Sequence, residues 1–286
     1  MKIEGILFCI SRFAKRNITA KDPLMEQQNV FEIALVWMEE ELAAMPLPHS
    51  RPETILRALF FLFVRFPCMK KKLYSVKEMV LIAMLAAIAY VIVSFIRIPV
   101  VLFLKYEPKD VIITIGGFLL GPLAAFITSL VVSLVEMVSI SDTGPIGALM
   151  NLLSTCSFAC TAALFYKKRH TLAGAIGGLV LGSVVMVGAM LLWNWLITPL
   201  YMGVARSAVE DMLIPMFLPF NLLKAGLNSA LVLVLYKPLV TALRKANLAP
   251  SKVQSTASGN KTGVWILGLI LLATCILLLL VFQGKI

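Results

Sequence analysis

Residues 76–95 read VKEMVLIAMLAAIAYVIVSF, twenty residues whose charges, Lys77 and Glu78, both sit in the first turn. As a helix rising about 1.5 Å per residue, this run spans about 30 Å, the thickness of the hydrocarbon core of a bilayer. In lipid only a helix or a closed barrel satisfies its own backbone hydrogen bonds. A barrel needs strands of about ten residues alternating apolar and polar, whereas this run is unbroken. It reads as a transmembrane helix.

Similar runs follow at 111–120, 123–140, 148–166, 172–197 and 213–235, with Gly121-Pro122 dividing the second span from the third. The predicted fold is therefore an all-α integral membrane protein, a six-transmembrane-helix bundle. A polar linker, 246–263, leads to a C-terminal hydrophobic segment, 264–286, whose apolar run 264–282 would add a helix. Residues 1–68 hold no full span, and Met69 followed by Lys70, Lys71 and Lys72 reads as the natural start of the membrane domain, 69–245. The first 68 residues are then an N-terminal extension.

Composition agrees. A soluble chain of 286 residues with 60% apolar and 14% charged residues and a mean hydropathy of +0.92 could not cover its core with polar surface. The formal charge of +11 does not indicate nucleic acid. The basic residues sit in short clusters between apolar runs, with no aromatic-interleaved basic domain to hold bases. They orient the chain instead: Lys70 to Lys72, then Lys167, Lys168 and Arg169, then Lys237, Arg244 and Lys245 are separated by even numbers of spans. Positive loops stay inside. This predicts a multi-pass protein of the cell membrane with a cytoplasmic N-terminus and with loops 97–110, 141–147 and 198–212 outside.

No enzyme motif is present. The sequence lacks GxSxG, HExxH and the phosphate loop GxxxxGK[ST], and its two histidines, His49 and His170, lie in loop-like or terminal settings. The five cysteines include no CxxC, so neither catalysis, a metal nor a bound cofactor is expected. Polar residues inside spans point instead to binding, because lipid makes them costly. Asn221 and Lys224 are spaced i, i+3 and share a helix face, with Asn228 further along. Lys224 precedes Lys237 by thirteen residues, about 20 Å of helix, too far to reach the cytoplasmic surface. Asn194 lies between Trp193 and Trp195 near the outer end of the fifth span. The outer loop supplies Tyr106, Glu107, Lys109 and Asp110, which could also be ordinary solvated loop charge. Glu136 in the third span reads as an internal ion-pair partner. Ala83 and Ala87, at i, i+4 on the first span, make a small-residue face for a close helix contact.

These residues together give a resemblance. MLAAIAY (84–90), YEPKDV (106–111), GFLLGP (117–122), NWLITPLY (194–201) and NLLKAG (221–226) resemble segments of the riboflavin-specific S components, the substrate-binding membrane subunits of energy-coupling factor (ECF) transporters. The resemblance covers 69–245. It implies a six-helix protein that takes riboflavin from outside, helped by the loop after its first helix, and docks on a transmembrane coupling subunit and two ATPase subunits that use ATP. It also implies flavin contacts at Asn194, Asn221 and Lys224, with Tyr106, Glu107 and Asp110 in the loop beside them, and docking through Ala83 and Ala87. Residues 1–68 and the run 264–282 depart from the six-helix pattern. An S component for thiamine, biotin or pantothenate, or a self-sufficient secondary transporter, is the competing reading.

Overall fold

Ser75 starts the first helix with a reciprocal cap: its hydroxyl accepts from the Glu78 backbone N–H (3.3 Å), and the Glu78 carboxylate accepts from the Ser75 backbone N–H (2.9 Å). A computed structural model describes residues 74–101, 103–140, 144–245 and 261–282, all within one compact unit. Helix α1, Val76–Phe95, buries Leu81, Leu85, Ala89 and Val93 at four-residue spacing, a stripe that packs on α2 (Lys109–Leu120) and α3 (Pro122–Ser139). Its opposite side leaves Val80, Ala83, Ala87 and Val91 exposed, as a lipid-facing or partner-facing surface requires.

The predicted outer loop is not irregular. Pro99 disfavours helical backbone at Ile98, and the β-branched Ile98, Val100 and Val101 instead form strand β1 (Ile98–Val101), paired antiparallel with β2 (Leu104–Tyr106). Ile98 pairs with Tyr106, Pro99 with Lys105 and Val101 with Leu104. The all-α expectation is therefore corrected by one two-stranded hairpin.

Beyond it come α4 (Gly144–Lys168) and α5 (Leu172–Met202). Then α6 (Arg206–Met212), a π-helical turn (Leu213–Phe217) and α7 (Leu218–Lys245) run on as one rod. The fifth predicted span thus continues through Pro199, and most of the expected loop 198–212 is helical. The C-terminal run forms α8, Lys261–Phe282, packed on α7. Residues 1–68, with Lys70 to Lys72, and most of the linker 246–263 lie outside the described residues.

Among the described residues, five helical segments are long and apolar enough to cross a membrane: α1, α3, α4, α5 and the rod from α6 into α7. The remaining member of the expected six, α2, has 12 residues and reaches only about 18 Å. All of its residues are buried, including Lys109, Asp110 and Thr114, because α1, α3, α4 and α7 pack around it. Gly121, at φ 102°, allows the sharp reversal from α2 into α3, and Pro122 opens the next helix, where its missing N–H is harmless.

Helices α4 and α5 approach closely where α5 presents glycine. A Cβ at Gly178 would lie 2.7 Å from the Ala162 carbonyl oxygen, and one at Gly182 would lie 2.6 Å from that of Phe158. Neither backbone oxygen can move without shifting α4. Gly182→Val should therefore destabilise the purified protein by about 1–3 kcal/mol, read as a lower melting temperature in detergent. Gly188→Ala, with open space around its Cβ, should melt like the unaltered protein. Equal melting of both variants would show that the close approach does not matter.

Candidate functional site

The end of the bundle beneath the hairpin collects charge. Arg97, just after α1, donates from its guanidinium to the Ile140 carbonyl (2.8 Å) and places Nε 3.0 Å from Glu107 Oε1. Lys109 Nζ lies 2.7 Å from Glu107 Oε2 and 2.5 Å from Glu136 Oε2, and Asn151 donates to the latter oxygen at 3.2 Å. Glu136 is thus the ion-pair partner its sequence setting suggested. The loop residues are not solvated: Glu107 is 4% exposed and Lys109 1%. Burial pushes the Glu107 pKa up, but Lys109 beside it, with Lys224 and Arg97, outweighs burial and holds it below its ordinary 4.5. The resulting stabilisation is complete above that value and is lost as pH falls through the lowered one.

One residue on, Asp110 faces α4 and α7. Its Oδ1 accepts from the Thr155 hydroxyl (2.7 Å), and its Oδ2 accepts from Asn228 Nδ2 (3.2 Å) and lies 3.3 Å from Lys224 Nζ. Lys224 also donates to Ser154 Oγ (3.1 Å). An ammonium has three donors, so one remains uncommitted among the described residues. Tyr106 donates its hydroxyl to Asn228 Oδ1 (3.1 Å), and burial, followed by Asp110, raises its pKa so that it stays a phenol. Tyr106, Asp110 and Lys224 are therefore brought together through Asn228, a residue whose weight the sequence alone did not reveal.

Asn221 precedes Lys224 by one turn on the same buried face. Its Nδ2 donates to the Phe217 carbonyl (2.8 Å), and Phe217 is the last residue of the π-helical turn. That turn contains Pro215, which has no N–H for a regular ladder, and single π turns recur at functional sites. Asn221 Oδ1 is buried with no hydrogen-bond partner among the described residues. Asn194, wholly buried on α5, donates to the Met190 carbonyl (2.8 Å) and accepts from Thr198 (3.0 Å).

Thr198 lines an apolar cleft with Trp193 and Ile197 of α5, Ile146, Gly147 and Met150 of α4, and Phe103 at the hairpin turn. Phe103 in turn packs against Phe217, ring centroids 6.4 Å apart. The cleft encloses about 10 Å³, room for about one water. Neither Asn194 nor Asn221 lines the cleft: Asn194 reaches it through Thr198, and Asn221 bonds the backbone of Phe217, whose ring packs on Phe103. The two tryptophans have different settings. Trp193 is buried in the cleft wall, and Trp195 donates to Glu210 (2.8 Å) beneath the Arg206 guanidinium, clipping α6 to α5. Ala83 and Ala87 lie apart from this cluster, on the exposed face of α1.

A family model for the substrate-specific component of ECF transporters matches residues 77–236, α1 through most of α7. The chain belongs to that family. Among curated relatives, the riboflavin transporter RibU of Staphylococcus aureus is 29% identical over 179 residues, covering 59% of this chain and 93% of its own. The riboflavin transporter FmnP of Bacillus subtilis is 27% identical over 190 residues, covering 61% and 99%. A solved S component of a bacterial ECF transporter superposes with a TM-score of 0.51 at 30% identity, covering 59% of this chain and 98% of that one. This S component is a transport subunit, not an enzyme.

The paired charges generate a stability prediction. Lys109→Met leaves Glu107 and Glu136 buried without their ammonium, and breaking a buried pair in this way costs about 3–5 kcal/mol. The variant should melt well below the parent in detergent, and adding Glu136→Gln should recover part of the loss. A single variant that melts like the parent would remove the cluster from any account of stability.

Proposed function

We propose that this S component is the riboflavin-binding subunit of an ECF transporter. One observation carries the reading. Three residues apart on one buried helix face, Asn221 offers an acceptor and Lys224 a donor that have no partner among the described residues. The apolar wall containing Phe103, Trp193 and Met150 connects to this face through Phe217, which packs on Phe103 and accepts from Asn221. Riboflavin has a flat, largely apolar ring with amide-like edges, so it calls for apolar walls and a few placed donors and acceptors. The names of the relatives support the same vitamin over thiamine, biotin or pantothenate. A flavin phosphate would call for an Arg cluster, and the Arg97 guanidinium is engaged with Glu107 and Ile140. A self-sufficient secondary transporter would depend on Glu136, and Lys109 and Asn151 already hold that carboxylate.

Orientation follows the basic clusters. The hairpin end is outside, the N-terminus cytoplasmic, and riboflavin enters between the hairpin and the ends of α4 and α5. Phe103 must yield, because the cleft is too small for a three-ring system. Domain 69–245 carries binding, with α2 counted as the sixth helix, while 1–68 is an appendage. The exposed Ala83 and Ala87 receive the transmembrane coupling subunit, behind which two ATPases supply the energy.

Binding is read by quenching of riboflavin fluorescence. Asn221→Ala and Lys224→Ala should each weaken affinity at least about tenfold, the effect of leaving one ligand polar group unpaired in a dry site, while the protein stays monodisperse. Parental affinity in both variants would move the site elsewhere. For docking, Ala83→Trp or Ala87→Trp should abolish riboflavin uptake by cells while the purified variant still binds the vitamin. Uptake that survives both changes would place the docking face on another helix.

A further inference from the structure

We infer that α8, the helix beyond the family match, is a positioning element of the binding site: it seats Tyr106 on Asn228 and thereby holds Asp110 against Lys224. Helix α8 lies antiparallel on α7 at two close contacts. A Cβ on Gly226 would meet Cys275 Sγ at 2.8 Å, and a Cβ on Gly268 would meet Val234 at 3.0 Å and the Ala230 carbonyl at 3.6 Å. Gly226 and Ala230 are spaced i, i+4, a small-residue seat that lets helices approach in lipid.

The contact continues into the hairpin. Tyr106, Leu223, Leu227 and Cys275 form one buried cluster, with Ile98 and Val100 of β1 and Leu271 and Leu272 of α8 packed around it. Tyr106 therefore has an apolar body held by α8 and a hydroxyl bonded to Asn228. Asn228 has one amide, with its oxygen committed to Tyr106 and its nitrogen to Asp110 Oδ2, the oxygen that also faces Lys224. Loosening α8 frees the phenol, lets the Asn228 amide rotate, and removes one of the two side chains that fix Asp110 Oδ2. The ammonium then loses its fixed direction.

This rests on the riboflavin reading for its kinetic test and on geometry alone for its structural one. In full-length protein without ligand, Gly226→Ala should speed hydrogen exchange in hairpin residues 98–106, and Cys275→Ala added to it should restore protection by making room for the methyl group. Unchanged hairpin exchange in Gly226→Ala overturns the inference whatever the ligand is. With riboflavin, Tyr106→Phe, which keeps the ring and removes only the hydroxyl, should raise the release rate about three- to tenfold, the effect of one lost hydrogen bond. Gly226→Ala should raise it similarly, and the two changes together should do no more than either alone, because both act through the same bond. Additive effects, or a Tyr106→Phe release rate equal to the parent's, overturn it. If the parent protein binds no riboflavin, the functional reading fails and the exchange experiment still decides this one.

Discussion

A charge buried among apolar groups persists only beside an opposite charge, and beneath the hairpin this bundle gathers three cations and three carboxylates. Arg97, Lys109 and Lys224 meet Glu107, Asp110 and Glu136 in pairs. Each pair crosses between elements: the end of α1, the exit from β2, the start of α2, the end of α3 and the first third of α7. Sliding any one of these by a turn would strand a charge in the interior. Between α4 and α5 the close approach at Gly178 and Gly182 sets the register. At the hairpin end the ion pairs add a second constraint on it.

The same constraint explains why a helix too short to span the bilayer sits at the centre. With 12 residues, α2 cannot reach across a bilayer, but it need not, because its neighbours enclose it on every side. Its first two residues, Lys109 and Asp110, point to different partners and divide the polar end in two. Lys109 ties the hairpin exit to α3. Asp110 ties α2 to α4 and α7 through Thr155, Asn228 and Lys224. The first group fixes where the hairpin leaves the bundle, and the second fixes the direction of the Lys224 ammonium.

Much of this was legible in the sequence, and what was not has physical reasons. The long apolar runs announce themselves, and α1 matches its predicted bounds because Ser75 caps it and Arg97-Ile98-Pro99 ends it. The hairpin was hidden because its strands have four and three residues, too short for alternation to stand out from an apolar background. Helix α6 was hidden by its charges, of which Arg206 and Glu210 belong to the Trp195 clip. At the site, Asn221 and Lys224 could be placed on one face from spacing alone. That Glu107, Lys109 and Asp110 are buried could not be read, because a loop charge looks the same in sequence whether water or another side chain surrounds it. Asn228 was undervalued because its partners, Tyr106 and Asp110, lie 122 and 118 residues away.

Selectivity follows from how few polar atoms remain uncommitted. Apolar walls reject a wrong ligand weakly, since a missing methylene changes affinity by only about 1–3 kcal/mol, whereas a site with fixed polar atoms rejects a ligand that leaves them unpaired far more strongly. Most polar atoms here are engaged within the protein: the Asn194 oxygen with Thr198, both Asp110 oxygens, both Asn228 termini, and two of the three donors of Lys224. The Asn221 oxygen and the remaining Lys224 donor stand out against that background. A ligand edge offering a donor and an acceptor at matching spacing satisfies both, and one lacking either leaves a buried atom stranded. The network that fixes the helix register therefore also sharpens recognition, because it consumes most of the polar groups around Asp110 that could otherwise adapt to a different guest.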